Sequence, residues 1–239
     1  MLFRSDPDAA FKQVGLMHQT ADKMAHSFSK GMAMQAEAFL NAFLQQTEAA
    51  HASAMKLLQI SADQGFPVFM RMAQVIEGWV MVKNGEHAEG IRLIHEVIDK
   101  WQASRATLGL GMFYTILADA YHHAALWQEG LDMLEKADTH LQQMEERVFY
   151  SSLYAMRGRS YSALGQNERA EEWLRKAYDL AGQHDNYLFG MYAAMHLAQI
   201  LLQTERKDEA LQVIDRMYTS GRTAVNQKEI EALRVQCLS

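Results

Sequence analysis

Small, apolar and polar positions recur along this chain with a fixed period of forty. Ala50, Gly90, Gly130, Ala170 and Ala210 form one ladder. Ala38, Gly78, Ala118, Gly158 and Ala198 form a second, twelve positions ahead of the first. Large apolar residues follow the first ladder by four positions, at Ile94, Leu134, Leu174 and Ile214. Val97, Ala137 and Ala177 come three later, which completes one stripe of an α-helix. Two antiparallel helices approach closely only where the facing side chains are small, so each pair of ladder positions marks a helical hairpin. Tyr114, Leu117 and Tyr121 in one first helix, answered by Tyr154 and Tyr161 in the next, are expected to fill the hairpin interior. Turns are expected at Asn84-Gly85, at Gly165-Gln166-Asn167 and from Thr204 to Asp208. The pattern predicts an all-α chain, an α-α superhelix of about five hairpins.

Running the same period backwards places Ala10 in the second helix of a further repeat whose first helix is absent. A helix from Pro7 would expose Phe11, Val14 and Met17, at an end where solenoids ordinarily carry a polar cap. Residues 6–28 are therefore expected to be a truncated repeat helix ahead of a repeat domain over 29–239, and the chain a fragment. Residues 1–5 read as a leader foreign to the natural protein, because a common sequencing-adapter end encodes Leu2-Phe3-Arg4-Ser5.

Composition narrows the possibilities without changing the fold. The 239 residues are 49% hydrophobic and 22% charged, enough to bury a sizeable core. Two prolines, Pro7 and Pro67, interrupt a sequence rich in good helix formers. A net charge of −6 argues against nucleic acid, whose recognition needs clustered Lys and Arg. The most apolar run, Phe189 to Leu202, is broken by His196 and Gln199 and is too short for a membrane span. Asp6 and Asp8 stand where a secretory signal needs an apolar stretch. The single Cys237 forms no internal disulfide, which makes a cytoplasmic location the simplest reading.

Leu117, Ala118, Tyr121, Gly130, Leu134 and Ala137 match the small, aromatic and apolar positions of the tetratricopeptide repeat (TPR), which the chain resembles. The period departs from the 34 residues of that family, so about six further residues must lengthen the helices or the loops. A narrower resemblance begins near Asp63. Gly65-Phe66-Pro67, Gly78-Trp79, Gly85 and Glu89-Gly90-Ile91 are similar to the C-terminal repeats of large bacterial signalling proteins. So are Ala170-Glu171, Leu174, Ala177, Leu180-Ala181, Gln183 and Leu197-Ala198. In those proteins a nucleotide-cyclase or DNA-binding domain precedes a STAND-type ATPase, and maltose-regulator-like (LuxR-type) activators share similar repeats. The resemblance implies a sensor or regulatory arm that holds such an ATPase off or receives an inducer or a partner protein. Any ATPase or cyclase activity would lie upstream.

No catalytic constellation emerges from the residues. A P-loop needs a glycine-rich turn ending in Lys and Ser or Thr, and none is present. Gly109-Leu110-Gly111 is expected to be an inter-repeat loop. His95-Glu96 meets Asp99 where a zinc-protease helix needs its second His. His122 and His123 point about 100° apart on a helix, so one can face a groove without any metal. Cys237 has no catalytic partner nearby in sequence. Trp79, Trp101, Trp127 and Trp173 share no repeat position, so each is expected to be a separate packing anchor. No cofactor is expected. The 16 methionines are expected mostly in hairpin interiors, with a minority facing the groove.

In repeat solenoids the first helices of successive hairpins line one face, and equivalent positions lie side by side. Counting from the small residue places Met72, Val75 and Trp79, then Met112, Thr115, Asp119 and His122, on that face. Ser152, Ala155 and Arg159, then Tyr192, Met195 and Gln199, follow. Apolar floor positions beside Asp119 and Arg159 suit a helix or an extended peptide. The expected partner is a protein or peptide segment, including the chain's own upstream ATPase domain. The alternatives are a small-molecule inducer sensor, which needs an enclosed pocket, and a free-standing adaptor; a hydrolytic enzyme is the weakest reading.

Overall fold

The computed structural model describes residues 7–107, 109–144, 149–183, 187–218 and 227–238. All regular structure among them is helical. The elements are α1 (Pro7–Met24), α2 (Ser27–Phe43), α3 (Thr47–Gln64), α4 (Pro67–Lys83), α5 (His87–Ala103) and α6 (Leu110–His123). They continue with α7 (Trp127–Met144), α8 (Tyr150–Ala163), α9 (Asn167–Gln183), α10 (Tyr187–Gln203), α11 (Lys207–Tyr218) and α12 (Gln227–Leu238). The expected leader at residues 1–5 lies outside the described residues. The chain divides into two compact units, one built from Ala9–His140 and the other from Leu141–Ser239.

The period survives in the backbone to the residue. The second helices begin at Pro7, Thr47, His87, Trp127, Asn167 and Lys207, one full period apart each time. Helices α2 to α5 run 17 or 18 residues. They are joined by turns of two or three, so the residues beyond the usual repeat length extend the helices. Every hairpin turn has one shape: Gln45, Gly85, Ala125, Gly165 and Glu205 all take positive φ. The amide of the residue after each one donates to a carbonyl in the last turn of the first helix, as in Glu86 N to Met81 O at 2.9 Å and Gln166 N to Tyr161 O at 2.8 Å. These bonds satisfy carbonyls the helix itself leaves open. Between hairpins positive φ recurs at Ala25, Gly65 and Arg105, although the connection from α5 to α6, residues 104–109, is longer than the two-residue connections before α2 and α4. Pro67 then opens α4 where its missing N–H costs nothing.

The small-residue ladders meet as the sequence requires. A Cβ on Gly90 would lie 2.3 Å from the Gly78 carbonyl oxygen, and one on Gly78 would lie 2.8 Å from that of Gly90. In the other unit a Cβ on Gly158 would meet Leu174 Cγ at 2.4 Å. Around these contacts the first unit buries Leu57, Phe69, Ile76, Ile94, Leu117 and Leu134. The second buries Leu174, Ala177, Leu197, Leu201, Val213 and Ile214, closed at its end by Ile230, Leu233 and Cys237 of α12.

Helix α1 differs from expectation in one respect. Val14, expected to be open, is 3% exposed, and Ala10 and Ala21 are buried with it. These residues form one helical stripe, and a lone helix turns its apolar stripe toward whatever neighbour it has. A hydrogen bond between His18 and Glu37 and an ion pair from Lys30 to Asp22, both at 3.0 Å, tie α1 to α2. The open apolar side chains of α1 are instead Leu16 and Met24.

Candidate functional site

Within the unit Ala9–His140, the first helices α2, α4 and α6 bring equivalent positions together. Met32, Met72 and Met112 stand one period apart, and of the three Met32 is the open one, at 41% exposure. Further along, the rings of Phe39 on α2 and Phe113 on α6 stack with centroids 6.5 Å apart. Trp101 meets Phe113 edge-on at 5.0 Å. Helix α4 is therefore enclosed between its neighbours: Val75 is fully buried and Trp79 is 1% exposed. Thr115 is buried too, its hydroxyl donating to the Gly111 carbonyl at 2.9 Å.

Beyond this apolar stretch the same three helices end in a polar cluster. Trp79 Nε1 donates to Asp119 Oδ2 at 2.7 Å, and Gln45 Nε2 donates to the same oxygen at 3.2 Å. Lys83 Nζ donates to Gln45 Oε1 at 3.0 Å and lies 5.5 Å from the Trp79 ring centroid. His123 Nε2 is 3.2 Å from Lys83 Nζ, 3.2 Å from Gln45 Oε1 and 3.4 Å from Asp119 Oδ2. Gln45 occupies the left-handed turn position, φ 58°, that glycine fills in two other hairpins. A side chain there costs about 1–2 kcal/mol, and this one reaches three partners on two other helices.

Two of the histidine expectations resolve here. His123 joins the cluster, whereas His122 is buried against α7, its ring 5.1 Å from Trp127. A Cβ on Gly130 would sit 2.7 Å from His122 Cδ2, so the small residue at 130 makes room for that ring. Counting four residues past the small position thus selects the histidine that packs the hairpin. Gln45, Lys83 and His123 escape that count, because they lie at or beyond the helix ends, outside the counted window. A signal exists in the sequence: Lys83 and His123 are one period apart, and both are polar at the close of a first helix.

In the unit Leu141–Ser239, the first helices α8 and α10 carry the remaining candidates. Ser152 and Ala155 are buried, Arg159 and Tyr192 are half-buried, Met195 packs on the core and Gln199 is exposed. Between them stands His196, whose Nδ1 is 3.1 Å from Gln199 Oε1 and whose ring is 5.9 Å from Tyr192. Burial pushes this imidazole down to about 4, with the Arg159 guanidinium adding to the effect and the Gln199 bond opposing it. It is a neutral ring at ordinary pH.

Each tryptophan anchors a different contact: Trp79 to Asp119, Trp101 to Phe113, Trp127 to His122, and Trp173 to Tyr154 at 5.0 Å. Arg157 and Lys176 also lie over the Trp173 ring, at 4.8 and 4.5 Å. Among the described residues no group of three His, Cys, Asp or Glu could hold a metal ion. No helix among them is long and apolar enough to cross a membrane. Burial raises the Cys237 thiol above its ordinary range, which keeps it in the unreactive protonated form.

Residues 151–184, the hairpin of α8 and α9, match the tetratricopeptide repeat model. No curated protein matches the chain. Among solved structures, NprR in complex with its cognate peptide NprX is 15% identical, covering 98% of this chain and 66% of its own, with a TM-score of 0.65. A STAND protein with a tetratricopeptide repeat sensor from Pyrococcus horikoshii is 15% identical over 97% of this chain and 35% of its own, at TM-score 0.58. A thermophilic TPR protein from Thermus thermophilus is 20% identical over 87% and 98%, at 0.56. The chain thus spans about two thirds of the NprR chain and about a third of the Pyrococcus one. At these identities the likeness is one of fold, and the fold is that of TPR-like repeat proteins.

Proposed function

We propose that this chain is a protein-interaction module that receives a peptide or helix of another protein on the shared face of its first helices. The observation that carries the reading is the convergence of side chains from three successive hairpins on that face, apolar at Met32 and polar at Gln45, Lys83, Asp119 and His123. An open apolar anchor and a polar group a helix-length away are what a bound segment needs for affinity and for register. The similarity to NprR with its peptide and to the STAND repeat sensor supports the same reading, and extends it to a regulatory arm of a larger signalling ATPase.

Selection of short random peptides against the purified chain tests the interaction. The expected peptides carry an apolar anchor, and their affinity falls at least tenfold for Met32→Glu, with unchanged thermal unfolding, and for Lys83→Glu when measured at a temperature where that variant remains folded. Failure to select any binder, or equal binding by both variants, overturns the reading. Sequencing upstream in the source DNA tests the regulatory arm separately. An in-frame ATPase domain is the expected result, and a start codon heading a short repeat protein would make the chain a free-standing adaptor instead.

A further inference from the structure

We infer that His123 is a protonation-controlled latch between α4 and α6, independent of what the module binds. The inference rests on three distances to one ring nitrogen. Lys83 Nζ, Gln45 Oε1 and Asp119 Oδ2 lie 3.2, 3.2 and 3.4 Å from His123 Nε2. An ammonium only donates, so its bond to Nε2 requires the nitrogen's lone pair, whereas the two oxygens require a proton on that same nitrogen. Both sets of bonds cannot exist at once.

With the lone pair on Nε2, Lys83 ties α4 to α6 through His123 and to the α2–α3 turn through Gln45. Asp119 is then held by Trp79 and Gln45. Protonation of the ring places a hydrogen on both nitrogens, removes the acceptor and leaves two cations 3.2 Å apart. The partners then within reach are Gln45 Oε1, at the α2–α3 turn, and Asp119 Oδ2, four residues earlier on α6 itself. The proton therefore exchanges the bond between α4 and α6 for bonds to the α2–α3 turn and within α6, and Lys83 loses its bond to the ring. The charged groups at the ring among the described residues are Lys83 from α4 and Asp119 from α6, with Gln45 the polar group from the α2–α3 turn. Imidazole is the side chain that changes charge between pH 8 and pH 5.

A double-mutant cycle with Lys83→Met and His123→Gln, measured by urea unfolding at pH 8 and at pH 5, tests the latch. At pH 8 the pair is expected to couple favourably, by roughly threefold to tenfold in the unfolding constant. At pH 5 the coupling is expected to vanish or change sign. Equal coupling at both values overturns the inference. Nitrogen-15 spectroscopy of the wild-type chain gives a second reading that needs no variant: at pH 8 His123 Nε2 is expected to be unprotonated, and a proton found there would overturn the latch as well.

Discussion

A methyl group at position 90 would meet the Gly78 carbonyl oxygen at 2.3 Å and the Val82 amide nitrogen at 3.0 Å. Backbone cannot swing aside as the end of a side chain can. Gly90→Ala is therefore expected to destabilise the chain by about 1–3 kcal/mol despite the better helix propensity of alanine. Gly15 in α1 is the control, because nothing stands within 4 Å of its would-be Cβ. There the propensity term is unopposed, and Gly15→Ala is expected to stabilise by about 0.5–1 kcal/mol. Urea midpoints at constant slope distinguish the two signs. Residues such as Gly90 were legible in the sequence, since smallness at a fixed spacing has one main physical cause. The left-handed turn residues were legible only in part. Gly85 and Gly165 announce the turn, but Gln45, Ala125 and Glu205 take the same conformation without the residue that favours it.

At the scale of the element, the first helices carry both the core and the proposed site, and pH acts on them unequally. The His196 imidazole on α10 stays neutral until about pH 4, first because burial disfavours its charged form. In the unfolded chain the same ring takes up its proton near 6.5. The unfolded state then binds more protons across that window, so stability falls as pH drops from about 6.5 to about 4 and is untouched by this group above it. His196→Gln is expected to flatten that part of the curve, measured as the difference from wild type in urea unfolding between pH 7 and pH 4. If the two curves run parallel, the ring is not held neutral by the fold. Periodicity located α10 and the half-buried neighbours of His196, Tyr192 and Met195. It could not reveal the neutral ring, because the burial and the influence of the Arg159 charge depend on how α8 and α10 pack and not on the order of residues along either helix.

For the whole molecule, the two compact units imply that damage stays local. Repeat proteins derive stability from each repeat and its nearest neighbours, so strain in one hairpin should lower protection chiefly around it. Gly158→Ala would drive a methyl into Leu174 at 2.4 Å, between α8 and α9. Hydrogen exchange is expected to quicken in α8 to α11 and to remain at wild-type rates in α3 to α5. Uniform quickening along the chain would mean that the units unfold as one. An ion pair linking neighbouring hairpins belongs to the same level: Glu171, which binds Arg175 on its own helix, also binds Arg206 just ahead of α11. Such exposed pairs contribute little each, because water screens them, and the sequence showed them only as charged residues on solvent faces.

The constant turn geometry has a consequence for how such a chain can grow. Gly65 and Arg105 take similar positive φ, 68° and 58°, one period apart. Duplicating the segment between them would join each new end to a conformation it already meets, and would return Gly78 and Gly90 to the spacing at which they touch. The hairpin is thus a cassette, and length in this protein is a matter of copy number rather than of new architecture.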